Sequence, residues 1–272
     1  MRVYRGLLSV FRIAVCGYLV VLVGLYAFQR HLLYQPDRTI LPPAEHGLAE
    51  AAVEHIKTAD GEDIMVWWIP PSAPERPAFL YLHGNGGNLS YRPKRFARLA
   101  ADGSGVMAVS WRGYAGSTGK PTEDGLMLDA RAAYEVLRAR VDPSRIVLVG
   151  ESLGSGVAVK LAADVQVAAL ILDSGYSSIL DIASDTFPWT PVRWLLWDAY
   201  RADLAAPSVS VPVFQVHCLD DPVIPIAFGR RLNALFPRHA PLIEIPGRCH
   251  PVPAAAFDAV LEQFAAGMAA PD

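Results

Sequence analysis

The chain has 272 residues, of which 52% are apolar and 19% charged, and its formal net charge is −3. That supply of apolar side chains allows a sizeable core and excludes an intrinsically disordered chain. The slight acidity argues against nucleic acid as a partner, because phosphate contacts need a basic surface.

From Leu7 to Phe28 the chain is almost wholly apolar, interrupted by Ser9 and Arg12. Crossing the hydrocarbon core of a bilayer takes about 20 such residues. A cleaved signal peptide is the alternative, but "VGLYAFQR" offers no small-x-small cleavage site. Residues 1–30 therefore read as an uncleaved single-pass transmembrane anchor. Arg2, Arg5 and Arg12 lie on its N-terminal side, against Arg30 and Arg38 beyond it. The positive-inside rule then puts the N-terminus in the cytoplasm and the following domain on the non-cytoplasmic side. "QPDRTILPPAEHG" supplies prolines that stop a helix. Residues 31–44 are expected to be a linker, with the folded domain over 45–272.

"AVEHIKTADGEDIMVWWIP" predicts a β-hairpin that turns at Asp60-Gly61. "AFLYLHG", "GVMAVSWRG", "RIVLVGES", "AALILDSG", "VPVFQVHC" and "PLIEIPG" are short apolar runs that end in loops. They are nearly continuous in apolar residues, as parallel strands covered on both faces are. Between them, Met127, Ala130, Tyr134 and Leu137 fall on one face of a predicted helix that Thr122 caps. Phe257, Val260, Leu261 and Phe264 make a similar face near the C-terminus. Alternating strands and helices predict an α/β fold with a mostly parallel sheet and helices on both faces. In such a sheet ligands bind beyond the carboxyl ends of the strands.

One of those strand ends carries Gly150-Glu151-Ser152-Leu153-Gly154, a G-x-S-x-G pattern with a strand before it and a helix after it. A sharp turn there lifts the serine hydroxyl out of the sheet and aims the first amides of the helix at the same space. A serine hydroxyl needs a base, and the base needs an orienting acid. Two later strand ends supply them. "VHCLDDPVIP" offers Asp220 and Asp221, and "IPGRCHPVP" offers His250. Asp173, in "DSGYSS", also lies at a strand end. Stabilising an oxyanion takes two backbone N–H groups. Leu153 supplies one, and Asn85 in the glycine-rich "LHGNGGN" supplies the other.

These stretches, with "LLYQP", "WRGYAGSTGKPTEDGLMLDA" and "CHP", resemble the α/β-hydrolase superfamily. They are similar in particular to its membrane-anchored serine hydrolases with a single N-terminal helix. The resemblance runs from about residue 30 to the C-terminus. It implies an α/β-hydrolase fold with a sheet of about eight strands and a short helical cap over about 177–207. It also implies Ser152 as nucleophile, Asp221 as acid and His250 as base, with no cofactor or metal. His83 and His217 then take structural places. Cys218 stands where the pattern usually has glycine, and Cys249 precedes the histidine.

The implied activity is cleavage of a carboxylic ester or a related small-molecule or lipid-like acyl compound. Amide, peptide or thioester cleavage, acyl transfer and a non-catalytic membrane scaffold are the alternatives. Trp189, Trp194 and Trp197 are expected to wall an acyl pocket, the alternative being ordinary core packing. The strands that carry Cys218 and Cys249 are expected to be neighbours. Their loops then converge, which brings the two cysteines within the range of a disulfide, roughly 4.4–6.8 Å between Cα atoms. Two unrelated buried thiols remain the other reading.

Overall fold

The computed structural model describes residues 2–269. Its centre is an eight-stranded sheet. The strands are β1 (Ala52–Lys57), β2 (Asp63–Ile69), β3 (Ala78–Leu82), β4 (Gly105–Val109), β5 (Ile146–Glu151), β6 (Ala169–Asp173), β7 (Val213–Cys218) and β8 (Ile243–Ile245). In space they run β1-β2-β4-β3-β5-β6-β7-β8. Only the β1–β2 and β2–β4 pairings are antiparallel. The predicted hairpin is β1–β2, with Gly61 at φ +90° in its turn.

The continuous apolar runs have a simple cause. Alternate side chains of one strand point to opposite faces, and helices cover both. Leu80 and Leu82 join Leu148, Leu126, Ala130 and Val157 on one face. Phe79 and Tyr81 join Val147, Val149, Phe96 and Phe257 on the other. The first face is covered by α3 (Glu123–Arg138) and α4 (Leu153–Asp164). The second is covered by α2 (Pro93–Ala100) and α9 (Asp258–Ala269). Thr122 caps α3 as its chemistry predicts, its Oγ1 accepting from Gly125 N at 3.0 Å.

Between β6 and β7 lie three short helices: α5 (Ile179–Thr186), α6 (Val192–Leu195) and α7 (Ala202–Ala205). They occupy the region expected to form a cap. A further helix, α8 (Ile226–Asn233), follows β7.

The N-terminal helix α1 runs Arg2–Leu33, three residues beyond the expected end of the anchor. Residues 31–44 are not a free linker. Gln35–Pro36 pairs in parallel with Gly86–Gly87, and Pro43–His46 forms a turn of 3-10 helix. Proline stops α1 as expected, but the chain then docks on the loop after β3.

Candidate active site

Ser152 sits between β5 and α4 at φ 50°, ψ −119°, a region an L-residue enters only under strain, at a cost of about 1–3 kcal/mol. The surroundings hold it there. Ser152 N donates to the Asp173 carbonyl at 2.9 Å, and the Ser155 hydroxyl donates to the Ser152 carbonyl at 2.7 Å. The flanking glycines are sterically required. A Cβ at Gly150 would stand 2.6 Å from the Ser155 Cα, and one at Gly154 would overlap the Leu82 carbonyl.

The Ser152 hydroxyl reaches His250 Nε2 at 2.8 Å, and His250 Nδ1 donates to Asp221 Oδ2 at 2.7 Å. The other carboxylate oxygen of Asp221 accepts from Val223 N and Ile224 N, both at 2.8 Å. Burial alone would raise the Asp221 carboxyl. The hydrogen bonds from His250 and the two amides hold it below its ordinary value instead. Asp220 is exposed at the neighbouring turn and takes no part in this chain of hydrogen bonds. His217 is buried, and burial lowers its pKa. Its Nε2–H donates to the Ile224 carbonyl at 2.9 Å, which shapes the Asp221 turn. His83 is likewise buried and pushed down to about 3, chiefly by burial.

Asp173 is committed elsewhere. Its Oδ1 accepts from Val252 N at 3.0 Å and its Oδ2 from Arg95 at 2.7 Å. Cys218 and Cys249 form a disulfide with Cα atoms 5.7 Å apart, which ties the loop after β7 to the loop that carries His250. That pairing requires β7 and β8 to be neighbours, and they are, with Cys218 opposite Ile245.

An ion pair beneath the serine gave no sequence signal. Glu151 is buried and receives Arg92 Nε at 2.9 and 3.0 Å, with further donation from the Tyr81 hydroxyl and Gly84 N. Burial would raise this carboxyl, but the Arg92 guanidinium holds it down to about 2. The pair braces the loop after β3 against the end of β5.

Asn85, Ser152 and Leu153 line a cavity of about 300 Å³. The expected tryptophan wall is not there. Trp189, Trp194 and Trp197 are 50, 84 and 46% exposed and stand outside the cavity lining. The cap instead turns Ile179, Ile182, Ala183, Phe187 and Leu195 inward. The opposite wall is α1, through Leu22, Leu25, Tyr26, Gln29, Leu32 and Leu33. Their i, i+3, i+4, i+7 spacing, continued past the end of the apolar run through Gln29, is the signal that marks this face as packed against protein.

A sequence profile of the α/β hydrolase fold matches residues 77–205. The chain is 36% identical over 233 residues to the protein Rv2307c of Mycobacterium tuberculosis, covering 85% of this chain and 83% of that one. It is 30% identical over 197 residues to the lysophosphatidylserine lipase ABHD12 of Rattus norvegicus, covering 65% of this chain but 49% of that one. The Pyrococcus furiosus esterase Pf2001 superposes with a TM-score of 0.68 at 19% identity, over 86% of this chain and 97% of that one, a likeness of fold. The chain belongs to the α/β-hydrolase family. It is a hydrolase.

Proposed function

We propose that this hydrolase cleaves carboxylic esters with an apolar acyl group, through an acyl-enzyme on Ser152. The observation that carries the reading is the unbroken chain from Ser152 through His250 to Asp221, with Ser152 lining a largely apolar cavity. His250 Nε2 takes the hydroxyl proton as Ser152 Oγ attacks the carbonyl carbon, and Asp221 stabilises the imidazolium that forms. The amides of Asn85 and Leu153 receive the oxyanion. Leu153 N is the first of α4 and so has no intrahelical acceptor. His250 then returns its proton to the leaving alcohol. Water, deprotonated by the same imidazole, releases the acid.

The cavity supports an acyl tail over a peptide, because its cap and α1 walls are largely aliphatic and aromatic. The 30 residues Tyr4–Leu33 are long and apolar enough to cross a bilayer. Together with the disulfide, which persists only in an oxidising compartment, they support a single-pass enzyme with its domain on the non-cytoplasmic side.

A fluorophosphonate probe should label the purified full chain in detergent, and Ser152→Ala should abolish labelling. Labelling that survives in that variant would overturn the assignment of the nucleophile.

A further inference from the structure

Trp189, Trp194 and Trp197 fall within nine residues of the cap, and all three are exposed, whereas Trp67, Trp68 and Trp111 are buried in the core. Burying a tryptophan contributes more than burying almost any other side chain, so three left on one edge call for a partner. Part of that partner is α1. The Tyr18 hydroxyl donates to the Trp189 carbonyl at 2.8 Å, and their rings meet edge-on at 6.2 Å. Tyr26 meets Trp197 at 4.9 Å, and the Arg30 guanidinium lies 5.0 Å from the Trp197 ring. Gln29 bonds the Leu195 carbonyl and Trp197 N, at 3.0 and 2.8 Å. The cap is thus fastened along α1 from Tyr18 to Arg30.

This fixes a depth. The apolar run begins at Leu7, after Arg5. From Leu7 to Tyr18 a helix rises only about 16 Å, roughly half the ~30 Å hydrocarbon thickness. An α1 that spans the bilayer therefore holds Tyr18, and Trp189 with it, inside the apolar layer. About 20 residues from Leu7 the helix reaches Tyr26, so Trp197 lies at the hydrocarbon boundary. Arg30, 5.0 Å from the Trp197 ring, then falls at headgroup level. An aromatic ring at the boundary with an arginine just outside it is what a lipid interface selects.

We infer that the edge of the cap carrying Trp189, Trp194 and Trp197 is seated in the membrane beside α1, from the interface at Trp197 into the acyl-chain layer at Trp189, so that the cavity over Ser152 opens at the level of the acyl chains. Leu22 and Leu25, which wall that cavity, lie between the depths of Tyr18 and Tyr26. The apolar part of the substrate then moves into the cavity sideways from the leaflet, without crossing water. The inference rests on the spanning role proposed for α1.

The test uses the full chain reconstituted in phosphatidylcholine vesicles, with and without bromine atoms on the lipid acyl chains, and reads tryptophan emission. Bromine should quench the wild type. The variant with Trp189→Phe, Trp194→Phe and Trp197→Phe should lose that quenching, since its remaining tryptophans are in the sheet core. Trp194→Phe alone, the mildest change, should lose part of it. Equal emission from brominated and plain vesicles, with the protein floating with the lipid, would overturn the inference and leave the span intact. Protein that does not float with the vesicles after a high-salt wash would overturn both.

Discussion

Asp173 and Arg95 form a buried ion pair, and both partners grip Val252. Asp173 Oδ1 accepts from Val252 N at 3.0 Å, while Arg95 Nη2 donates to Asp173 Oδ2 at 2.7 Å and to the Val252 carbonyl at 2.6 Å. The residue two positions after His250 is thus held at both its amide and its carbonyl. Removing one partner of a buried pair strands the other charge, at a cost of about 3–5 kcal/mol. Asp173→Ala should lose stability on that scale in urea denaturation. Asp173→Asn, which keeps an acceptor for the amide, should lose less. Because Asp173 does not touch His250, its Asn variant should retain more turnover than Asp221→Asn.

The assignment of the acid separates two adjacent aspartates. His250→Ala should lower kcat for a short aryl ester by about 10⁴- to 10⁶-fold, as members of such a set act as a unit. Asp221→Asn should cost on the order of 10⁴-fold, by analogy with loss of the orienting acid elsewhere. Asp220→Asn should leave kcat near the wild-type value, because Asp220 is exposed and outside the hydrogen-bonded chain. Steady-state kinetics on the three variants decides it, and a larger loss at Asp220 would reverse the assignment.

Glu151 sets a pH window for stability. Its folded value, about 2, lies below the ordinary 4.5. An acid with a depressed folded pKa contributes stability that is complete above its unfolded value and lost as pH falls toward the folded one. The stability gap between the wild type and Glu151→Gln should therefore be widest above about pH 5. It should narrow as the pH falls toward 3. Thermal melts of both proteins across that range measure it, and a gap that widened on acidification would contradict the ion-pair account.

The disulfide should be visible in the thiol count. Denatured full-length protein, isolated without reductant from an oxidising compartment, should show the one free thiol of Cys16, and three after reduction. The bond closes a loop of 31 residues, for which chain entropy predicts about 3–4 kcal/mol of stabilisation. Cys218→Ala should lose stability of that order. It should also lower kcat, since Asp221 and His250 sit on the two loops that the bond joins.

The cavity should set acyl-chain preference. Ala183 lines it from the cap, so Ala183→Phe should fill it. The ratio of kcat/KM for long-chain over acetyl esters should fall by about 10-fold or more, as each methylene of fit is worth roughly 1–3 kcal/mol. Deleting residues 1–30 removes Leu22, Leu25, Tyr26 and Gln29 from the opposite wall. The truncated enzyme should still turn over the acetate while losing its discrimination for long chains.

The strands were readable because a strand covered on both faces must be largely apolar: β3 is so throughout, β5 and β6 are so up to Glu151 and Asp173 at their ends, and β7 carries only Gln215 and His217 as polar interruptions. Ser152 was readable because its strained turn demands glycine on both sides, and that demand is written in Gly150 and Gly154. The lining of the cavity was not. Tryptophan content says how apolar a segment is but not which way it faces, so Trp189, Trp194 and Trp197 were assigned inward when the smaller Ile182 and Ala183 face in. Hydropathy likewise marked α1 as a span without showing that one stripe of it packs on protein. The Glu151–Arg92 and Asp173–Arg95 pairs join residues 59 and 78 positions apart, and no local pattern encodes a partner at that distance.

The side chain of Asn85 donates to the carbonyl of Leu33, the last residue of α1, at 2.8 Å, and its own carbonyl accepts from Gln35 N at 3.0 Å. The loop proposed to bind the oxyanion is therefore in mechanical series with the tether. A spanning helix tilts to match the thickness of the bilayer around it. Tilt of α1 carries Leu33 with it, and Leu33 carries Asn85. If α1 spans the membrane and Asn85 binds the oxyanion, as proposed, the alignment of that amide would depend on the width of the surrounding bilayer, and bilayer thickness would act on turnover separately from the supply of substrate.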